Sequence, residues 1–162
     1  MKFLITGLGS IGQRHYKNLL ALGEKDILVY RTSRGSNRGF VAAFIKEFQP
    51  TIFYDLNEAL IQKPDAVIIT NPTAFHVASA LRAAAARAHV FIEKPLAHGL
   101  SGTKELIAGL KKKGLVGYVG YNFRFHPLLQ QMKKWLAAGK IGRPISAHAE
   151  IGEYLPDWHS WE

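Results

Sequence analysis

A glycine-rich turn near the start of the chain has a spacing suited to binding phosphate. The run from Gly7 to Gly12 reads G-L-G-S-I-G and follows the apolar stretch Lys2–Thr6. The first glycine permits a tight turn, the second lets the backbone approach a phosphate, and the third lets the next helix pack on the strand. Ser10 as N-cap and Gln13 three residues later would form a capping box. The turn predicts a site for a dinucleotide pyrophosphate at the helix start, and the alternative is an ordinary strand-to-helix turn.

The four residues Arg31-Thr32-Ser33-Arg34, at the end of the second predicted strand, bear on which dinucleotide binds. Enzymes that select NAD usually carry a carboxylate here, which accepts hydrogen bonds from the adenosine ribose. This chain has two guanidinium groups and two hydroxyls instead, which suit a 2′-phosphate. We therefore expect NADP to be favoured over NAD. The alternative is that an arginine only stacks on adenine.

The elements that position these residues alternate between strands and helices. Asp55 and Asn71 are expected N-caps, and Gly114 is expected to end a helix. The alternation predicts an α/β fold with a doubly wound, mostly parallel sheet, whose ligands bind at the carboxyl ends of the strands. The predicted strands are Lys2–Thr6, Asp26–Arg31, Thr51–Tyr54, Ala66–Thr70, His89–Glu93 and Leu115–Gly120, and the predicted helices are Ser10–Leu22, Gly39–Phe48, Leu56–Gln62, Thr73–Ala88 and Gly99–Lys113.

The pattern changes after residue 125. An amphipathic helix is predicted over Pro127–Ala138, and apolar residues alternate with polar ones from Ile145 to Ile151, which predicts a strand with one buried face. A single strand cannot hide that face, so we expect the start of a second, α+β domain that continues beyond Glu162. We divide the chain into residues 1–122 and 123–162. The exposed apolar face also predicts a homo-oligomer.

Composition narrows the class of protein further. The chain has 162 residues, 48% of them hydrophobic, and no cysteine, so we expect a folded, soluble and cytoplasmic protein without disulfides. No apolar run is long enough to cross a bilayer. The net charge of +9 suits an anionic cofactor, and we expect neither nucleic acid nor a membrane as partner. The seven histidines show neither H-x-H nor H-E-x-x-H spacing, so no metal site is expected.

Three stretches together resemble the Gfo/Idh/MocA family of nicotinamide-dependent oxidoreductases. They are residues 7–15, the strand end Glu93-Lys94-Pro95, and residues 121–127, which read Y-N-F-R-F-H-P. Residues 152–159 look like a subset linked to polysaccharide and nucleotide-sugar metabolism. The resemblance covers the whole chain and implies a Rossmann domain, followed by a domain for substrate binding and dimerisation. It implies hydride transfer between NAD(P) and a hydroxyl carbon of a sugar, cyclitol or nucleotide-sugar substrate.

The resemblance assigns the catalytic role to Lys94. The substrate hydroxyl must lose a proton as hydride leaves its carbon, and a cation stabilises the developing oxyanion. The resemblance also implies a cis peptide bond between Lys94 and Pro95. The alternative is a Lys-Pro turn with the ammonium in water. His76 is more often structural than functional in such a position. Arg124 suits either a substrate or cofactor phosphate or an ion pair between domains.

One expected part of the catalytic machinery has no match. The catalytic histidine of the family lies in a D-x-x-x-H segment of the second domain, and this chain has no such segment. We therefore expect a truncated chain that binds cofactor without being catalytically complete. The alternative is a dinucleotide-binding sensor or partner-binding module without chemistry. The residues expected to contact the cofactor are Gly7, Gly9, Ser10, Ile11, Gly12, Arg31, Thr32, Ser33, Arg34, Thr70, Asn71, Pro72, His76, Glu93, Lys94, Pro95, Asn122 and Arg124.

Overall fold

The structure is a computed structural model that describes residues 1–32 and 39–152. It divides into two compact units, Met1–Tyr121 and Asn122–Glu162. The predictions for Ser33 and Arg34, and most of the resemblance over residues 152–159, lie outside the described residues.

Strands and helices alternate through the first unit. The strands are β1 (Lys2–Thr6), β2 (Asp26–Tyr30), β3 (Thr51–Phe53), β4 (Ala66–Ile69), β5 (His89–Ile92) and β6 (Gly117–Val119). The helices are α1 (Ser10–Ala21), α2 (Gly39–Phe48), α3 (Leu56–Ile61), α4 (His76–Ala85) and α5 (Thr103–Lys113), with a 3-10 turn over Thr73–Phe75 before α4.

The six strands form one sheet in the order β3-β2-β1-β4-β5-β6. Every neighbouring pair is parallel, with Leu4 of β1 opposite Leu28 of β2 and Val67 of β4. The predicted doubly wound parallel sheet is confirmed. The chain order reverses between β1 and β4, and this reversal is where open α/β sheets bind ligands.

Successive residues of the central strands point into two separate cores. Leu4 packs with residues of α3, α4 and α5 on one face, while Ile5 packs with Tyr16 and Phe44 on the other. Both side chains have no exposed surface, which is why β1 reads as a continuous apolar run. Burial also raises the pKa of the Tyr16 phenol, since desolvation disfavours its charged form.

Several predicted element ends are corrected. Gly9, not Ser10, is the N-cap of α1, and no side chain caps that helix. Asn71 is not a cap either. Its side-chain amide donates a hydrogen bond to Ser79, and Pro72 is the residue at the cap position of the 3-10 turn. Helix α5 begins at Thr103 rather than Gly99, because Gly102 turns the chain with φ of 73°. Among the described residues, no helix has the length and apolar character needed to cross a membrane.

The second unit contains a 3-10 turn, Asn122–Phe125, and one helix, α6 (Pro127–Ala137). Its apolar face stays largely exposed, with Leu128, Met132 and Trp135 at 73%, 49% and 46%. The predicted strand over Ile145–Ile151 is absent, since the described part of the unit offers it no strand to pair with. The homo-oligomer expected from that apolar face stays a prediction.

The cap of α3 offers a test of local stability. The Asp55 carboxylate accepts hydrogen bonds from the backbone N–H groups of Asn57 and Glu58, at 2.7 and 3.1 Å. We expect Asp55→Ala to lower the free energy of unfolding by about 1 kcal/mol, measured by urea denaturation. Asp55→Asn retains an acceptor and serves as the control. Equal losses in both variants would contradict a role for the cap.

Candidate functional site

A cavity of about 440 Å³ opens at the carboxyl ends of β1, β2 and β4. It lies at the reversal of strand order, so the turns that follow these strands form its walls. Seven of the residues expected to bind a cofactor line it, namely Gly7, Gly9, Arg31, Thr32, Thr70, Asn71 and Pro72.

The glycine turn brings β1 and α1 unusually close. Gly7 has φ of +106°, and a Cβ there would lie 3.1 Å from the backbone nitrogen of Asn71. A Cβ at Gly12 would overlap the carbonyl oxygen of Gly7 and come within 2.9 Å of Oγ1 of Thr70. A Cβ at Gly9 would meet nothing within 4 Å. The backbone at Gly9 is therefore open to the cavity, while Gly7 and Gly12 are needed for packing.

The start of α1 suits an anion. The first amides of a helix have no acceptor within the helix, and here neither a side-chain cap nor an acidic residue occupies the first turn. Gln13, expected to complete a capping box, donates instead to the carbonyl oxygen of Leu8 at 3.2 Å. The amides and the positive end of the helix dipole are therefore available for a phosphate group.

Thr70 and Asn71 hold the opposite wall. The Thr70 hydroxyl lies 3.0 and 3.2 Å from the carbonyl oxygens of Thr6 and Gly7, to which it donates. The Asn71 side chain donates to Oγ of Ser79 at 2.8 Å, but its buried Oδ1 accepts no hydrogen bond from the described residues. That oxygen is buried, so it is not accessible to a ligand in the cavity.

The charge around the cavity is positive. Arg31 follows β2, and Arg82 of α4 lies on the same cavity with its guanidinium donating to Oδ1 of Asn57 at 2.6 Å. No Asp or Glu is among the described residues that line it. The electrostatics and the donor set therefore fit a phosphorylated cofactor.

The Glu93-Lys94-Pro95 turn follows β5 and contains a cis Lys94–Pro95 peptide bond, which confirms the prediction made from the resemblance. Lys94 is exposed, and its ammonium makes neither a hydrogen bond nor an ion pair with the described residues. The Glu93 carboxylate, in contrast, binds Nε2 of His15 at 2.7 Å and the backbone N–H of Lys94 at 3.2 Å.

His76 lies behind this turn rather than in the cavity. The residue is 2% exposed, with Nδ1 2.9 Å from the carbonyl oxygen of Pro95 and Nε2 2.8 Å from that of Asn71. Both nitrogens therefore face protein atoms, which favours the structural role over a contact with cofactor. One imidazole ring joins the turn after β4 to the turn after β5.

The remaining predicted residues are placed as follows. Ser10 and Ile11 are exposed in the first turn of α1. Asn122 and Arg124 belong to the second unit, so their approach to the cavity stays a prediction.

Sequence reasoning missed several residues of the site. Phe40, Phe75, Ser79 and Arg82 line the cavity from α2, the 3-10 turn and α4. They carry no motif, because helix residues reach a cavity only through tertiary packing. His15, the last residue of the stretch 7–15, had no predicted role. Its place in the second turn of α1 was the available signal, because that turn lies near the carboxyl ends of the strands.

Comparisons with known proteins point to one family. A family model described as "Oxidoreductase family, NAD-binding Rossmann fold" matches residues 1–121. The chain is 32% identical to scyllo-inositol 2-dehydrogenase (NAD(+)) of Bacillus subtilis, over 87% of this chain and 41% of the relative. A probable dehydrogenase of Thermotoga maritima superposes with a TM-score of 0.76 at 25% identity, over 89% of this chain and 43% of that one.

A third similarity concerns a nucleotide-sugar enzyme. The UDP-N-acetylglucosamine 3-dehydrogenase GnnA of Acidithiobacillus ferrooxidans superposes with a TM-score of 0.69 at 27% identity. The match covers 83% of this chain and 42% of that one. The chain thus spans less than half the length of each of these three relatives.

The glycine turn allows two matched substitutions. We expect Gly12→Ala to lower the free energy of unfolding by roughly 1–3 kcal/mol, because the new methyl group overlaps the Gly7 carbonyl. The side chain of Gly9→Ser meets no neighbour, and serine, like glycine, is favoured at N-caps. The free energy of unfolding of this variant should therefore change by less than about 0.5 kcal/mol. Chemical denaturation of both variants provides the measurement. Equal stability of Gly12→Ala and the unmodified chain would refute the close approach.

Proposed function

This chain belongs to the Gfo/Idh/MocA oxidoreductase family, and we propose that it forms the cofactor-binding part of an enzyme that acts on a hydroxyl-bearing carbon. The substrate class is a sugar, cyclitol or nucleotide sugar, as the names of its relatives suggest. The observation that carries the proposal is the exposed Lys94. Its turn is joined by the His76 ring to Asn71, which lines the cavity beside the start of α1.

Different residues around the cavity would bind different parts of a nicotinamide dinucleotide. The amides at the start of α1 and the open backbone at Gly9 would hold the pyrophosphate. When bound, the nicotinamide ring supplies or accepts a hydride. Lys94 would hold the substrate oxygen and stabilise the negative charge that develops on it, while a base outside this chain, as the family resemblance implies, would take the hydroxyl proton.

We propose NADP rather than NAD as the preferred cofactor. The support is the pair Arg31 and Thr32 after β2, together with Arg82 on the same cavity and the lack of a carboxylate among its described lining residues. A 2′-phosphate gains charge-assisted hydrogen bonds from guanidinium groups, whereas an NAD ribose would lack its usual acceptor.

The second unit, from Asn122 onward, is proposed as the beginning of the substrate domain. The support is that the similarity to the inositol dehydrogenase covers 87% of this chain, more than the first unit alone provides. Asn122 and Arg124 would then reach the substrate or the cofactor phosphate. A homo-oligomer and a cytoplasmic location belong to the same proposal.

Cofactor preference is measurable on this chain. We expect NADPH to bind more tightly than NADH in fluorescence titrations. Arg31→Ala should weaken NADPH binding by about 10- to 100-fold, the effect of losing a charge-assisted hydrogen bond, with little change for NADH. Lys112→Ala removes an exposed charge on α5, away from the cavity, and is the matched control. Equal affinities for the two cofactors would overturn the NADP preference.

The chemical role of Lys94 is tested on the enzyme as expressed from its own gene. With an inositol or a UDP-sugar as substrate, Lys94→Ala should lower kcat by roughly 100- to 10,000-fold and leave the Kd for cofactor within about twofold. Lys104→Ala, exposed on α5, should behave like the unmodified enzyme. Cofactor binding without any dehydrogenase activity in the unmodified enzyme would instead favour a sensor module.

A further inference from the structure

The turn that carries Lys94 is held on both sides by histidines from different helices. Before Lys94, the Glu93 carboxylate binds His15 of α1 at 2.7 Å through Oε1. After it, the carbonyl oxygen of Pro95 lies 2.9 Å from Nδ1 of His76 in α4. The first contact holds the Glu93 side chain, whose other oxygen accepts the Lys94 N–H, and the second contact holds the Pro95 carbonyl. Lys94 itself is exposed.

The Glu93 carboxylate connects His15 to the backbone N–H of Lys94. An ionised carboxylate only accepts hydrogen bonds, so Nε2 of His15 donates to Oε1 and the Lys94 N–H donates to Oε2. The His15 ring is itself fixed by an edge-to-face contact with Phe91, at 5.1 Å between ring centroids. The His15 and Glu93 side chains are each only 19% exposed, so water competes weakly for this pair.

The contact on the Pro95 side joins the turn to the cavity. A carbonyl oxygen only accepts, and a neutral imidazole carries one N–H, so a neutral His76 ring donates to one of its two carbonyl neighbours at a time. The residue is 2% exposed, and the second neighbour of its ring is the carbonyl oxygen of Asn71, on the cavity wall. Movement of Pro95 away from Asn71 would lengthen one of these two contacts.

We propose that His15, acting through Glu93, and His76 are positioning residues that set where the Lys94 ammonium lies relative to the cofactor and the substrate oxygen. This inference rests on the proposed function, because it assigns the two histidines a role in hydride transfer. Neither histidine touches the reacting atoms. Their effect arises because a displacement of about 1 Å at a reacting group can lower the rate on the order of 100-fold.

The test separates kcat from cofactor binding in the enzyme expressed from its own gene. We expect His76→Ala and His15→Ala each to lower kcat by about 10- to 100-fold, with the Kd for NADPH within about twofold. His76→Gln keeps one amide donor and should recover most of the lost kcat. If His76→Ala does not fold, His15→Ala and its combination with Glu93→Ala decide the outcome.

Two further comparisons distinguish positioning from general stability. If His15 acts through Glu93, the double variant His15→Ala/Glu93→Ala should lower kcat no further than Glu93→Ala alone. His89, at the opposite end of β5, accepts a hydrogen bond from the Val116 N–H at 3.0 Å. His89→Ala should lower the melting temperature and leave kcat unchanged, which makes it the matched control.

The outcomes that overturn the inference differ from those that overturn the proposed function. Unchanged kcat in the His15 and His76 variants, while Lys94→Ala is impaired, would remove the positioning role alone. A kcat loss in His89→Ala as large as in His76→Ala would also remove it, since stability would then explain both. An unmodified enzyme that binds no nicotinamide cofactor would instead remove the proposed function.

Discussion

The close approach of three backbone segments at the ends of β1 and β4 is the constraint on which the site depends. Gly12 lies against the Gly7 carbonyl, and the Thr70 hydroxyl donates to the carbonyl oxygens of Thr6 and Gly7. A side chain at Gly12 would push α1 away from the sheet. This contact therefore sets the position of the helix start, and with it the direction in which the free amides and the helix dipole face.

The position of α1 also affects the turn that carries Lys94. His15 lies in the second turn of α1, so the placement of that helix also places the partner of Glu93. On the other side, α4 brings His76 between Asn71 and Pro95. The phosphate-suited cavity and the lysine turn are thus connected through helices packed on opposite faces of one sheet, which is a consequence of the doubly wound topology.

The unusual side chains of the site need this rigid setting. Lys94 is exposed, whereas its own backbone N–H and the Pro95 carbonyl are bound by the half-buried Glu93 and the buried His76. A catalytic cation gains from such a setting, because it requires little reorganisation as negative charge develops beside it. The positive lining of the cavity similarly favours an anionic ligand over solvent.

The sequence by itself determined the order of strands and helices, the glycine turn and the turn at Glu93-Lys94-Pro95, because periodicity and turn chemistry are local properties. It predicted the caps of α1 and α4 wrongly, since Ser10 and Asn71 are good cap residues in isolation, but Gly9 occupies the cap position of α1 and the Asn71 amide bonds Ser79. The strand predicted over Ile145–Ile151 failed because a strand depends on a partner. Only the tertiary structure decided that Arg82 joins the cavity and that His15 and His76 hold the lysine turn. The histidine contacts link residues from 5 to 78 positions apart, and they depend on how helices pack on the sheet.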